Sequence, residues 1–308
     1  MDKPFIDGCS LESELVRLKG LIDLQLRSVL PESLDTEDNR VPEKLHEAME
    51  YAVFAGGKRM RPILTLMAAQ ACGYNPEKLI GAASAIELLH TYTLIHDDLP
   101  CMDDDDLRRG KASCHKVFGE DIALLAGDAL QTAAFDMLVE KGREAGVSDK
   151  ALLSCVQELS IAAGREGVVA GQCLDMAAEG QDISLDELQN IHRLKTGELF
   201  VYAVRAGVIL SGKEEFMEPM TGFAEYFGLL FQITDDILNV VGTTEALGKP
   251  VGSDEKKSKA TYPSMLTLDG AWKIAEETAS SACDFINTVP GDAMPLYSLA
   301  AMLLSRDS

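Results

Sequence analysis

The sequence of 308 residues contains no C-x-x-C pair, no low-complexity tract and no long internal repeat. It also lacks an uninterrupted apolar run of the roughly eighteen residues a membrane span needs. Glu87 and His90 break Leu79–Ile95, and Arg205 breaks Phe200–Leu210. Its seven cysteines are odd in number and scattered, and no secretory signal opens the chain. These absences exclude a small disulfide scaffold and lead us to expect reduced thiols, a soluble protein and a cytoplasmic location. Positive charge is also scarce: 28 basic against 50 acidic residues leave −22 at pH 7 and a pI near 4.5. Such a field repels nucleic-acid backbones and anionic lipid, so no nucleic-acid partner is expected.

A hydrophobic content of 46%, with 25% charged residues and a mean hydropathy of +0.02, supports a folded chain with a substantial core. Strand-like alternation between hairpin turns is missing, whereas apolar residues recur at helical spacing almost throughout. The spacing predicts helices over about 10–30, 42–55, 61–72, 76–98, 121–141, 149–178, 185–210, 213–241, 263–288 and 294–305. Asn75-Pro76 reads as an N-cap followed by a first-turn proline, Ser184–Glu187 as a capping box, and Gly56 and Gly73 as C-terminal caps. No linker divides the chain, so the expectation is all-α and one domain over residues 1–308. Two polar, Gly/Pro-containing segments, Leu99–Gly119 and Gly242–Tyr262, each follow a helix that ends in carboxylates.

The first carboxylate cluster is Asp97, Asp98 and Asp103 to Asp106, at a helix end that Pro100 enforces. The helix macrodipole is negative there and the acids repel one another, so the cluster needs a cation. Hard oxygen donors at this density suit Mg²⁺ shared with substrate phosphates. A solvated acidic turn is the alternative. Gln232, Asp235, Asp236 and Asn239 lie on neighbouring parts of one face of a second apolar helix. Adjacent aspartates in such a helix require a metal or a buried Arg or Lys partner. Cations follow both clusters, as Arg108, Arg109 and Lys111 after the first and Lys249, Lys256, Lys257 and Lys259 after the second. A third basic spot lies at Gly56-Gly57-Lys58-Arg59-Met60-Arg61. In so acidic a chain these read as diphosphate clamps, with solvated surface turns as the alternative.

With these pieces together, the sequence resembles the trans-prenyltransferases of the polyprenyl diphosphate synthase family from about Glu43 onward. The matching stretches are Gly56 to Pro62, His90 to Arg109, Leu125 to Gln131, Gly171-Gln172, Lys195-Thr196-Gly197, Gln232 to Asp236, Gly248-Lys249 and Lys259 to Pro263. The resemblance implies an all-helical isoprenoid-synthase bundle with a central substrate cavity, usually a homodimer. It joins isopentenyl diphosphate to an allylic diphosphate, dimethylallyl or geranyl, with Mg²⁺, three ions per active site when substrate is bound. It casts Asp97, Asp103 and Asp235 as Mg²⁺ ligands supported by Asp98 and Asp236. Arg108, Lys195, Lys249 and Lys259 would neutralise the leaving diphosphate, while Lys58, Arg61, His90 and Arg109 would hold that of isopentenyl diphosphate. Thr196 and Gln232 would face the allylic cation. No side-chain nucleophile is required, and His96 and His192 read as structural. Asn239 departs from the usual second motif by replacing a charged ligand with an amide.

Product length in this family depends on residues just upstream of the first motif, here Tyr92 and Thr93. Tyr92 and the two-residue insertion around Pro100 resemble the bacterial members that stop at a fifteen-carbon farnesyl chain. A smaller residue at that position is typical of the geranylgeranyl-forming members. Helix geometry places Thr93 under Asp97 and turns Tyr92 to the side. A terpene cyclase would carry an N-x-x-x-S/T-x-x-x-E second site, and a non-catalytic prenyl synthase subunit would have lost an aspartate motif. Neither pattern is found.

Overall fold

Near-continuous apolar periodicity becomes helix almost wherever it was expected. The computed structural model describes residues 8–32, 40–241 and 260–305. The helices are α1 (Gly8–Val29), α2 (Glu43–Val53), α3 (Met60–Ala71), α4 (Ile80–Asp97), α5 (Cys114–Phe118), α6 (Glu120–Glu144), α7 (Asp149–Ala163), α8 (Val168–Ala178), α9 (Leu185–His192), α10 (Glu198–Leu210), α11 (Met217–Val241), α12 (Tyr262–Leu266), α13 (Leu268–Phe285) and α14 (Met294–Leu304). Among the described residues the buried apolar side chains form one contiguous core, from Leu11 to Leu303.

Helix α4 is buried on several faces. Ile80, Ala83, Ile86, Leu89, Tyr92 and Ile95 are buried on it, and so are Ala82, Ala85 and Leu88 on other sides, as a helix packed on several faces requires. It runs against α6 in the most extensive helix pairing of the structure, and α1, α2, α3 and α10 also contact it. By length and composition α6 is also capable of crossing a membrane, with a mean hydropathy of 1.4 over its best window and 39% of that window buried. Asp128 and Asp136 interrupt it, which is why inspection for unbroken apolar runs passes over it.

Most local signals act as read; Gly73, with φ of 81°, follows the C-cap of α3, whereas α2 is capped at Phe54, short of Gly56. Asn75 accepts a hydrogen bond from the Glu77 amide and opens a 3₁₀ turn, Pro76–Leu79, that leads into α4. Ser184 and Glu187 form the capping box of α9. Three expected helices are interrupted. The span 149–178 breaks at Gly164 and Gly167, whose backbone leaves the helical region, and 263–288 breaks at Thr267, in a left-handed conformation. The span 185–210 contains a π-helical turn at Arg193–Gly197. The segment after the first acid cluster holds a minimal antiparallel pair, β1 (Leu107–Arg108) with β2 (Lys111–Ala112). Arg109 and Gly110 form its turn with φ of 56 and 77°, the double positive φ that suits a tight hairpin.

Candidate active site

The acid cluster at the end of α4 is folded tightly back on itself. Pro100 stops the helix, and the Asp103 amide then donates to the Asp97 carbonyl at 2.9 Å, so the two-residue insertion brings Asp103 beside Asp97. Asp98 points inward and is buried. Arg108, delivered by β1, grips its carboxylate through Nε, at 3.0 and 3.2 Å, and through Nη2, and lies 3.6 Å from Asp105. Burial disfavours the Arg108 charge, and the Asp98 carboxylate it holds outweighs this and raises the guanidinium's proton affinity.

Asp97 receives a hydrogen bond from the Gln172 amide on α8 and lies 3.6 Å from the Lys195 ammonium. Lys195 in turn holds Asp175 of α8 at 2.7 Å. Lys195 and Thr196 project from the π-turn, where the changed helical repeat re-aims side chains, a device frequent at functional sites. Gly171 makes the approach possible, because a Cβ there would sit 2.2 Å from the Lys195 backbone nitrogen. The π-turn touches α8 on one side and α11 on the other, so it lies between the helices that present Gln172 and Asp235. Gln232 and Asp235 on α11 are partly exposed, whereas Asp236 is buried and accepts the Tyr262 amide at 3.0 Å. Asp236 thereby fixes the start of α12. Lys249 and Lys259 lie outside the described residues.

A second group of charges gathers about two turns earlier on α4. Arg109 donates to the Gly56 carbonyl and lies against Gly57. Arg61 stacks on the Phe200 ring, its guanidinium carbon 4.6 Å from the centroid, and its buried Nε has no hydrogen-bond partner among the described residues. Burial pushes the Arg61 pKa down to about 10 and lowers that of Arg109. His90 is held well below the ordinary imidazole range, by burial first and then by Arg61, Arg109, Arg108 and Arg59. Lys58 is exposed at the rim. Two buried arginines whose charge burial disfavours, beside a histidine they help to keep neutral, describe a site that an anion would complete.

Between the two groups, Tyr92 is buried and meets the His96 ring edge-on at 5.2 Å. His96 reaches the Leu124 carbonyl of α6 at 3.0 Å and covers Gly127. The Thr93 hydroxyl is turned to its own helix, donating to the His90 carbonyl at 2.8 Å. A space of about 20 Å³ lies beneath the hairpin, among Asp98, Arg108, Arg109, Thr91 and Ser113. A larger groove, about 510 Å³, lies at the far end of α3, between Leu11, Arg17, Gln70, Asp292 and Pro295. Sequence reasoning missed Asp175 and the link from Gln172 to Asp97. The G-Q-x-x-D spacing, which puts Asp175 one turn beyond Gln172, was the available signal.

Among the described residues, no three acids, histidines or cysteines close around a point as a complete metal cage. The acids instead form an open, all-oxygen donor set. That arrangement fits Mg²⁺, which retains waters and takes substrate oxygens beside one or two carboxylates.

The polyprenyl synthetase family model matches residues 42–283. A farnesyl diphosphate synthase of Geobacillus stearothermophilus is 45% identical over 267 residues, 86% of this chain and 90% of the relative. A chloroplastic geranylgeranyl pyrophosphate synthase of Capsicum annuum is 44% identical over 270 residues, 87% of this chain and 73% of its own. The crystal structure of an FPP/GFPP synthase from Zymomonas mobilis superposes with a TM-score of 0.82 at 34% identity, covering 96% of this chain and 99% of that one. A geranyltransferase from Helicobacter pylori, complexed with magnesium and isoprenyl diphosphate, gives 0.77 at 29% identity, covering 94% and 95%.

Two expectations follow. His90 is held neutral in the folded protein below its ordinary value of 6.5, so below that pH the unfolded chain binds the extra proton and stability falls. Between pH 7 and 5.5 the wild type should lose about 1 kcal/mol more than His90→Gln, read from urea midpoints; equal losses would contradict it. Gly171→Ala should force α8 away from the π-turn and destabilise the protein by about 1–3 kcal/mol, measured by thermal unfolding.

Proposed function

We propose that this chain, which belongs to the polyprenyl synthetase family, condenses isopentenyl diphosphate with dimethylallyl and then geranyl diphosphate. The products are (2E,6E)-farnesyl diphosphate and free diphosphate. One observation carries the reading: Arg61 and Arg109 gather against His90 on α4, and a carboxylate site at Asp97 lies seven residues or about 10 Å farther along the helix axis. Two diphosphates, one bound directly by cations and one through a metal, have separate places on one rigid element.

Arg61, Arg109, His90 and Lys58 hold the diphosphate of isopentenyl diphosphate, and Arg bidentate geometry orients it. Asp97, Asp103 and Asp235, with Asp98 and Asp236 behind them, hold Mg²⁺, three ions with substrate bound. The ions supply charge stabilisation to the allylic diphosphate as it leaves. Lys195, steadied by Asp175, meets that diphosphate with Arg108, Lys249 and Lys259. Cleavage of the allylic C–O bond gives a cation toward which the Thr196 hydroxyl and the Gln232 amide oxygen present their dipoles. The isopentenyl double bond attacks this cation, and the departing diphosphate takes the proton released.

Tyr92 closes the elongation space, its ring fixed by His96, and Thr93 lies beside it on the same helix. This favours a fifteen-carbon product over the geranylgeranyl chain suggested by relatives such as that of Capsicum annuum. The chain acts as one domain over residues 1–308 and as a homodimer, for which the exposed Leu124 and Leu125 on α6 offer an apolar face. A cytoplasmic setting agrees with the six described cysteine side chains, all free thiols.

Incubation of radiolabelled isopentenyl diphosphate with dimethylallyl, geranyl or farnesyl diphosphate, with and without Mg²⁺, tests the reading. Mg²⁺-dependent product ending at fifteen carbons is expected. A twenty-carbon product would overturn the chain-length assignment, and no condensation with any starter would overturn the activity. Tyr92→Ala should extend the product beyond fifteen carbons; an unchanged product would remove Tyr92 from length control.

A further inference from the structure

The loop between α2 and α3 ends in Arg59, the first turn of α3 carries Arg61, and the two arginines are in opposite electrostatic conditions. Arg61 has a buried Nε without a partner among the described residues, and burial lowers its pKa to about 10. Arg59, two residues earlier, is 2% exposed and fully engaged. Its Nε donates to Asp23 of α1 at 2.8 Å, one terminal nitrogen to Glu87 of α4 at 2.9 Å, and the other to the Val53 carbonyl at the end of α2 at 2.7 Å. The carboxylates outweigh burial and keep this guanidinium charged. Its charge is spent inside the protein and is not offered to a ligand.

Arg59 is also held in the left-handed region, with φ of 52°, a conformation that costs a residue with a Cβ energy and persists only where surroundings enforce it. Three bonds to three helices supply that enforcement. Lys58 precedes Arg59, Arg61 follows by two, and Glu87 lies one turn before His90 on α4. Arg109 is hydrogen-bonded to the same loop at Gly56. Every member of the cationic site is therefore within three residues of this ion-pair network or bonded to the loop it anchors.

We infer that Arg59 is a positioning residue for the cationic site: by pinning the loop that ends at the start of α3 to α1, α2 and α4, it sets Lys58 before it and Arg61 in the first turn of α3 in the arrangement that binds the diphosphate of isopentenyl diphosphate. The inference rests on the function proposed above. Arg59 itself does not touch substrate. Its guanidinium has the three-way donor fork the site needs, and a lysine ammonium cannot reproduce it.

The test compares Arg59→Lys with wild type. The KM for isopentenyl diphosphate should rise about tenfold while that for geranyl diphosphate stays within about twofold, the split that separates a site-specific effect from general damage. Calorimetric titration of inorganic diphosphate in EDTA, which isolates the metal-free site, should weaken in parallel. Asp23→Asn removes one anchor that is part-exposed, so it retains the fold and should shift the same constants in the same direction by about threefold. If Arg59→Lys does not fold, Asp23→Asn decides. Unchanged KM and diphosphate affinity in a folded variant, or equal rises in both KM values, would overturn the inference. A wild type that binds inorganic diphosphate but condenses nothing would sink the proposed function while the titration still judges Arg59.

Discussion

Like charges crowded at the negative end of a helix dipole are the constraint around which this structure is arranged. Asp97 and Asp98 terminate α4, and Asp103 is folded back beside them. Left alone, such a cluster would repel itself and destabilise the helix that carries it. The fold resolves part of the problem internally, with Arg108 on Asp98 and with Gln172 and Lys195 on Asp97. The unresolved part, an open set of carboxylate oxygens, is what a divalent cation and a diphosphate would complete.

The opposite imbalance stands two turns away. Arg61, Arg109 and His90 are crowded and desolvated enough that each charge is disfavoured. Glu87 and Asp23 are bonded to Arg59; Glu87 still favours the charged forms of Arg61 and Arg109, but burial outweighs it there. Buried ion pairs are weak evidence for stability as such. Here the ion pairs of Arg59 divide two arginines two residues apart into one that holds structure and one that remains available to an anion. Negative excess and positive excess are thereby kept separate on a single helix, and a reaction between two diphosphate esters needs both.

The π-turn at Arg193–Gly197 joins these regions to the second acid helix. Because α8 and α11 both touch it, one residue, Lys195, can serve Asp97 on one side while the turn borders the helix of Asp235 on the other. Gly171 permits this closeness by lacking a side chain. Asp236 contributes differently from its neighbour Asp235, accepting the Tyr262 amide and so fixing the start of α12.

Helix positions, the caps at Asn75 and Ser184, the stop at Pro100 and the two acid motifs were all legible from the sequence, because each depends on residues within one or two turns. The family resemblance was legible for the same reason, since its motifs are short and local. The breaks at Gly164 and Thr267, the π-turn and the Arg109-Gly110 hairpin were not, because packing decides them against a continuous helical pattern. Partner choice was least legible. Residue type placed Asp98 beside a metal and Arg59 in a diphosphate clamp, and only the packing of α1, α4 and β1 paired Arg108 with the one and Asp23 and Glu87 with the other. Gln172 meets Asp97 across 75 residues of sequence, a distance over which no periodicity carries information. The sequence by itself determined which charges had to be balanced, through local helix geometry and electrostatics; the tertiary structure decided which were balanced inside the protein and which were left for ligands, because that depends on which helices come into contact.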